Sequence, residues 1–154
     1  VYDSKGYYDK ALEYYEKSYE IQKIVYANNL NHPDIAISLN NIGMVYYNKG
    51  DYDKALEYYK KCYNMQQIIY SKNVYSHDIA ASLNNIGLVY YNKGDYDRAF
   101  EYHEKCYEIR KIVYANNLNH PDIATSLNNI GLIHRKKGDY DKALEYYEKC
   151  YEIQ

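Results

Sequence analysis

An all-α fold of antiparallel helix pairs, repeated about three and a half times over 154 residues, is what three features of this sequence predict. Gly6, Gly50, Gly94 and Gly138 stand 44 residues apart, each directly after a lysine. Residues 45–88 and 89–132 are identical at 28 of 44 positions. Within each period the apolar residues recur at helical spacings, first in a shorter and then in a longer segment. Self-similarity at a fixed period of this size marks an α-solenoid, in which each unit hides its apolar side against the next.

The elements follow in order. Residues 1–32 read as a partial repeat ending in its second helix, near 8–26. Tyr7 stands where later copies carry Asp51, Asp95 and Asp139, so this helix is expected to lack a side-chain cap worth typically ~1 kcal/mol and to fray. Residues 33–76 form a full repeat. Pro33 suits a first helical turn, because its missing N–H would be unpaired there, and Asp34 favours the positive end of the helix dipole. Leu39, Ile42, Gly43 and Tyr46 then share one face. Lys49-Gly50-Asp51 encodes the reversal: the glycine closes one helix in a left-handed conformation and the aspartate caps the next. The second helix, near 52–70, carries Tyr52, Ala55, Leu56, Tyr59, Cys62, Tyr63 and Ile69 on a broad stripe. The same reading gives a repeat at 77–120, its second helix near 96–114, and a truncated repeat at 121–154, its second helix near 140–154. His32, Ser76 and His120 precede the first helices as caps. The array starts and stops inside repeats, so a piece of a longer array is expected.

Composition narrows the function. A net charge of -2 and a pI near 6.2 argue against a nucleic-acid groove, which needs clustered basic residues in excess. No apolar run is long enough for a membrane span or a secretory leader. Three cysteines and no Asn-x-Ser/Thr sequon favour a cytoplasmic, intracellular setting. Cys62, Cys106 and Cys150 recur one per repeat, at a spacing too wide for a shared metal or a relaxed disulfide. His32-Pro33-Asp34 and His120-Pro121-Asp122 are helix starts and not acid/base pairs, with no matching nucleophile. His77, His103 and His134 have no metal-ligand spacing, and no glycine-rich phosphate loop occurs. The sequence predicts no enzyme and no cofactor.

Leu39-x2-Ile42-Gly43-x2-Tyr46 followed by Ala55-x3-Tyr59 resembles the tetratricopeptide repeat, and the match recurs from Leu83 with Ala99 and from Leu127 with Ala143. Leucine replaces the usual tryptophan, and Gln67 or Lys111 replaces the helix-ending proline, which lengthens the second helix and the period. Together with His32-Pro33-Asp34-Ile35-Ala36 and Ser38-Leu39-Asn40-Asn41-Ile42, the longer period resembles the repeats of kinesin light chains.

A helical turn of 100° per residue puts Ile37, Asn41, Met44 and Asn48 opposite the core face of the first helix. In the repeats this chain resembles, first helices line a concave surface where asparagines grip the backbone of an extended peptide. That resemblance implies a ladder of Asn41, Asn85 and Asn129, with Asn48 and Asn92 one rung further. An asparagine amide offers both donor and acceptor, so it suits a peptide group without demanding a particular side chain. Met44, Leu88 and Leu132 would floor the groove, and Tyr47 and Tyr91 would border it. Arg135 and Lys136 replace Tyr91 and Asn92 in the last copy, making that end basic and suited to an acidic stretch of ligand. The plain alternative is that these asparagines are solvated surface, as most of the 25 tyrosines are packing residues. The expected function is a protein–protein interaction scaffold binding a peptide or partner protein, with no nucleic acid and no membrane. The alternative is an array that stacks end to end with its own copies.

Overall fold

The computed structural model describes residues 4–73 and 75–153, with side chains from residue 6 onward. Seven helices and no strand occur among them: α1 Ser4–Val25, α2 Pro33–Asn48, α3 Tyr52–Ile69, α4 His77–Asn92, α5 Tyr96–Val113, α6 Pro121–Lys137 and α7 Tyr140–Ile153. The fold is all-α, built of helix pairs of the solenoid type. The helices fall into two compact units, Val1–Lys72 with α1 to α3 and Asn73–Gln154 with α4 to α7.

Six helix starts lie where the sequence places them. α1 is the exception. It begins at Ser4 and not near residue 8, and Gly6 lies inside it. The physical reason is the missing aspartate: with Tyr7 in its place there is no cap to start a helix at residue 8, so the helical backbone runs through the glycine. The chain ends at Val1 and Gln154 lie outside the described residues.

The reversals between paired helices are local. Gly50, Gly94 and Gly138 have φ of 77°, 78° and 84°, where a side chain is strained. At the first of them, Gly50 N–H donates to Tyr47 O and Asp51 N–H to Tyr46 O, which satisfies two carbonyls at the end of α2. Asp51 Oδ1 then accepts from Lys54 N–H at 3.2 Å, and Asp95 Oδ1 from Arg98 N–H at 3.1 Å. One residue thereby closes a helix and opens the next.

In the first unit α2 lies between α1 and α3, antiparallel to both. Ile35, Ala36, Leu39 and Cys62 form a buried cluster, flanked by Tyr19 and Tyr26 of the α1 segment and by Tyr58, Met65 and Ile69 of α3. In the second unit the same positions, Ile79, Leu83, Ile86 and Cys106, then Ile123, Leu127 and Ile130, are buried. Burying each Ile or Leu is worth roughly 1.5–3 kcal/mol relative to exposure. Helix pairs approach closely at a glycine. A Cβ on Gly43 would stand 2.8 Å from the Tyr59 ring, on Gly87 2.8 Å from His103, and on Gly131 2.7 Å from Tyr147. Nothing but hydrogen fits there.

Of the expected stripe of α3, Ala55, Tyr59 and Cys62 are buried and Ile69 packs against the core, while Tyr52, Leu56 and Tyr63 are only partly covered; Gln66, outside that stripe, is buried.

His103 occupies the position of Tyr59 and Tyr147, is 1% exposed, and its Nδ1 has no hydrogen-bond partner. Burial first, and then the Arg110 charge, lower its pKa to about 4 from the ordinary 6.5. A folded-state value below the unfolded one means that stability is complete above pH ~6.5 and is lost as the pH falls toward 4, because only the unfolded chain takes up the proton in that window. Urea unfolding between pH 7 and pH 4 should lose up to roughly 3 kcal/mol through this residue, and His103→Tyr should flatten that part of the profile. Separately, Gly131→Ala should cost about 1–3 kcal/mol by overpacking against Tyr147, read from the midpoint of thermal or urea unfolding.

Candidate functional site

The faces of the first helices turned away from their partners carry the sequence-predicted site residues. On α2, Asn41 and Tyr47 are half-buried, and Met44 and Asn48 are exposed, with Ile37 exposed one turn earlier. On α4, Asn85, Leu88 and Tyr91 are half-buried and Asn92 is exposed. On α6, Asn129 and Leu132 are half-buried and Arg135 is exposed. The two bordering tyrosines each lean on the first tyrosine of the following helix: Tyr47 on Tyr52 at 5.8 Å, and Tyr91 on Tyr96 at 5.6 Å between ring centroids. Arg135 replaces that aromatic. It and Lys136 make no ion pair among the described residues, whereas Lys137 pairs with Asp97 of α5, which holds its pKa above the ordinary lysine value.

One functional-looking contact escaped the sequence reading. Asn129 Nδ2 donates to Asn84 Oδ1 at 3.0 Å, joining α6 directly to α4. The signal was present as the asparagine doublet that recurs at 40–41, 84–85 and 128–129. Only the second member of each doublet drew a role from the sequence.

The His-Pro-Asp triplets are helix starts with a further partner. His32 Nδ1 accepts from Asp34 N–H at 3.2 Å and His120 Nδ1 from Asp122 N–H at 3.1 Å, so each imidazole is the cap itself. Each ring also stacks on a tyrosine from the end of the preceding second helix, Tyr26 on His32 and Tyr114 on His120, with centroids 3.6 Å apart. That tyrosine donates its hydroxyl to the aspartate of the triplet, Tyr26 to Asp34 at 2.5 Å and Tyr114 to Asp122 at 2.7 Å. In the second unit the Tyr114 hydroxyl also lies 2.9 Å from Nδ1 of His77. Its own proton is committed to Asp122, so His77 is the donor there. The Tyr114 hydrogen bond, aided by the Arg110 charge, holds the Asp122 carboxyl below its ordinary range. Burial and Asp122 push Tyr114 up to about 12.

Buried polar bridges tie successive repeats below this corner. Ser38 Oγ donates to Gln22 Oε1 at 2.7 Å, and the equivalent Arg110 donates to Ser126 Oγ at 2.9 Å and to Asp122 O at 2.8 Å. Arg110 is a buried charge, and these bonds offset part of its desolvation. Cys62 and Cys106 are wholly buried, Cys106 with its Sγ 3.8 Å from Ser126 Oγ, and Cys150 Sγ reaches Ala124 O at 3.3 Å, which fits their reading as small packing residues. An open cavity of about 700 Å³ lies elsewhere, between the outer sides of α6 and α7 and lined by Thr125, Asn128, Cys150 and Ile153 among others. It contains none of the predicted site residues.

Helix pairs closed by a left-handed glycine and joined by buried polar bridges define a scaffold of the kind generally associated with protein and peptide binding. The family model of the tetratricopeptide repeat matches residues 1–68 and 78–154, and the chain belongs to that family, whose fold is non-catalytic. No curated protein matches the sequence. Among solved structures, BtubC (BKLC) of P. vanneervenii is 28% identical with a TM-score of 0.84, over 99% of this chain and 58% of its own. The present chain thus spans little more than half of that protein. A Podospora anserina protein named for kinesin light chain, with nearly identical TPR-like repeats, is 22% identical with a TM-score of 0.75, over 99% of this chain and 70% of its own. The Rap conjugation gene regulator of plasmid pLS20, solved with the Phr* peptide, is 24% identical with a TM-score of 0.71, over 96% of this chain and 38% of its own. No helix among the described residues is long and apolar enough to cross a membrane.

Tyr114→Phe removes one hydroxyl that serves both Asp122 and His77. Carbon-detected NMR titration should show the Asp122 carboxyl pKa rising toward the ordinary carboxylate value, and unfolding should report a loss of about 1 kcal/mol.

Proposed function

We propose that this chain binds an extended peptide, or an extended segment of a partner protein, on the outward faces of its first helices, α2 in the first unit and α4 with α6 in the second. The observation that carries the reading is their chemistry. Across from the buried side of each first helix, these faces alternate amides with accessible apolar side chains: Asn41, Met44 and Asn48 on α2, Asn85, Leu88 and Asn92 on α4, Asn129 and Leu132 on α6. Amides satisfy a peptide backbone in either sense, and the apolar residues between them remove water from the contact. Tyr47 and Tyr91 serve as rigid aromatic anchors at the border. The peptide bound to the Rap regulator supports this use of a helix-pair scaffold.

Arg135 and Lys136 set the preference. Two unpaired cations at the end of α6 favour glutamate or aspartate at the matching end of the ligand, mainly through steering and salt-dependent affinity. The 44-residue period and the likeness to the Podospora anserina protein named for kinesin light chain support a kinesin-light-chain-like subtype, and the sequon-free, odd-cysteine sequence supports an intracellular setting. Self-association is the competing reading. It draws on the exposed Tyr14 and Ile21 of α1 and on Leu144 and Tyr151 of α7.

Fluorescence anisotropy with a capped, labelled dodecapeptide of Leu, Ser and Glu, and with its counterpart carrying Lys for every Glu, tests the reading. The acidic probe should bind at least about tenfold more tightly, and Arg135→Glu with Lys136→Glu should erase that preference. Asn85→Ala and Asn129→Ala should each weaken binding about fivefold while leaving the helical circular dichroism unchanged. Equal affinity of the wild type for both probes would remove the basic end from the account. Sedimentation velocity across a concentration series should show one unchanging species; concentration-dependent growth would favour self-association.

A further inference from the structure

Resting on the peptide-binding reading, we infer that Asn84 is a positioning residue for that site, turning the Asn129 amide so that its carbonyl oxygen is held out to a backbone N–H of the ligand. Asn129 sits on α6 and Asn84 on α4, the first helices of successive repeats, and their side chains meet at 3.0 Å with Asn129 Nδ2 as donor. Both residues are half-buried. A primary amide has two N–H donors and one acceptor oxygen, and a half-turn about its last torsion exchanges them. Here the exchange would set Asn129 Oδ1 against Asn84 Oδ1, acceptor facing acceptor. With Asn84 presenting its oxygen, as it does here, the bond selects one orientation of the Asn129 amide.

What remains is defined by subtraction. The Asn129 side chain makes no other hydrogen bond among the described residues, so Oδ1 and the second N–H are available to a ligand in a fixed arrangement. A freely turning asparagine would have to be ordered on binding, and that ordering opposes association. Asn85 follows Asn84 directly on α4, so the doublet divides its labour: one residue points along the ligand face, while its neighbour clasps the next first helix. Asn128 has the register of Asn84 on α6 and is exposed. It serves as the internal control, since it is the same residue type at the same turn of a first helix.

Two measurements test the assignment. In the free protein, the side-chain amide protons of Asn129 should exchange slowly and lie away from the ordinary asparagine position. That signature should persist in Asn84→Asp, which keeps the acceptor, and vanish in Asn84→Ala. An Asn129 signal unchanged by Asn84→Ala overturns the assignment. The second measurement is a double-mutant cycle with the acidic dodecapeptide. Asn84→Ala should weaken binding about threefold in the wild type and not at all in Asn129→Ala, with Asn128→Ala neutral throughout. An equal loss in both backgrounds means that Asn84 acts on the fold or touches the ligand itself, and the assignment fails. If Asn129→Ala weakens binding and Asn84→Ala does not, the positioning role falls and the peptide site stands. If Asn129→Ala has no effect on affinity, the ladder and its positioning residue fall together.

Discussion

Glycine pressed against an aromatic ring is the contact on which every helix pair of this protein depends. Gly43 meets Tyr59, Gly87 meets His103 and Gly131 meets Tyr147, each so close that a Cβ would lie under 3 Å from the ring. That approach draws the first helix down onto the second, which buries Leu39, Leu83 and Leu127 and their neighbours. It also decides which side of the first helix is left over. The opposite face, with Asn41, Asn85 and Asn129, cannot reach the paired helix, and it is the surface on which a ligand reading is built. Packing and function are two sides of one helix.

His103 shows what this contact tolerates. The imidazole is smaller than the phenol of Tyr59 and accepts the same glycine, but it brings a nitrogen that finds no partner at 1% exposure. Its pKa falls because the interior holds only the neutral ring. The second unit thereby acquires an acid sensitivity that a tyrosine would not confer. Arg110 is a comparable local variation: a buried guanidinium stands where the first copy uses Gln22, and both end on the serine of the following first helix. The bridge is kept and its charge changed, so the geometry of the joint is the constant.

Tyr26-His32-Asp34 and Tyr114-His120-Asp122 illustrate how a motif with catalytic residue types can be purely architectural. The imidazole nitrogen that a base would need is occupied by the N–H of the aspartate two residues on. The aspartate in turn accepts from a tyrosine of the preceding helix. The corner locks the entry angle of the next first helix, and through it the direction in which the asparagine face points.

Period, helix pairing and reversals were legible in the sequence because each is a local matter: spacing of apolar residues, a glycine able to take positive φ, an aspartate to cap the next turn. Even the exception at α1 follows from one residue, Tyr7, standing in a capping position. The site face was legible as a face, since 100° per residue fixes what lies opposite Leu39. The tertiary structure alone decided which polar residues are spoken for. That Gln66 and Arg110 are buried, that Tyr114 serves both His77 and Asp122, and that Asn129 is already bonded to Asn84 depends on groups between 8 and 45 residues apart meeting across successive helices. A hydrogen bond between repeats leaves no mark on the pattern within a repeat, so only the packed helices reveal which amide is free and which is held.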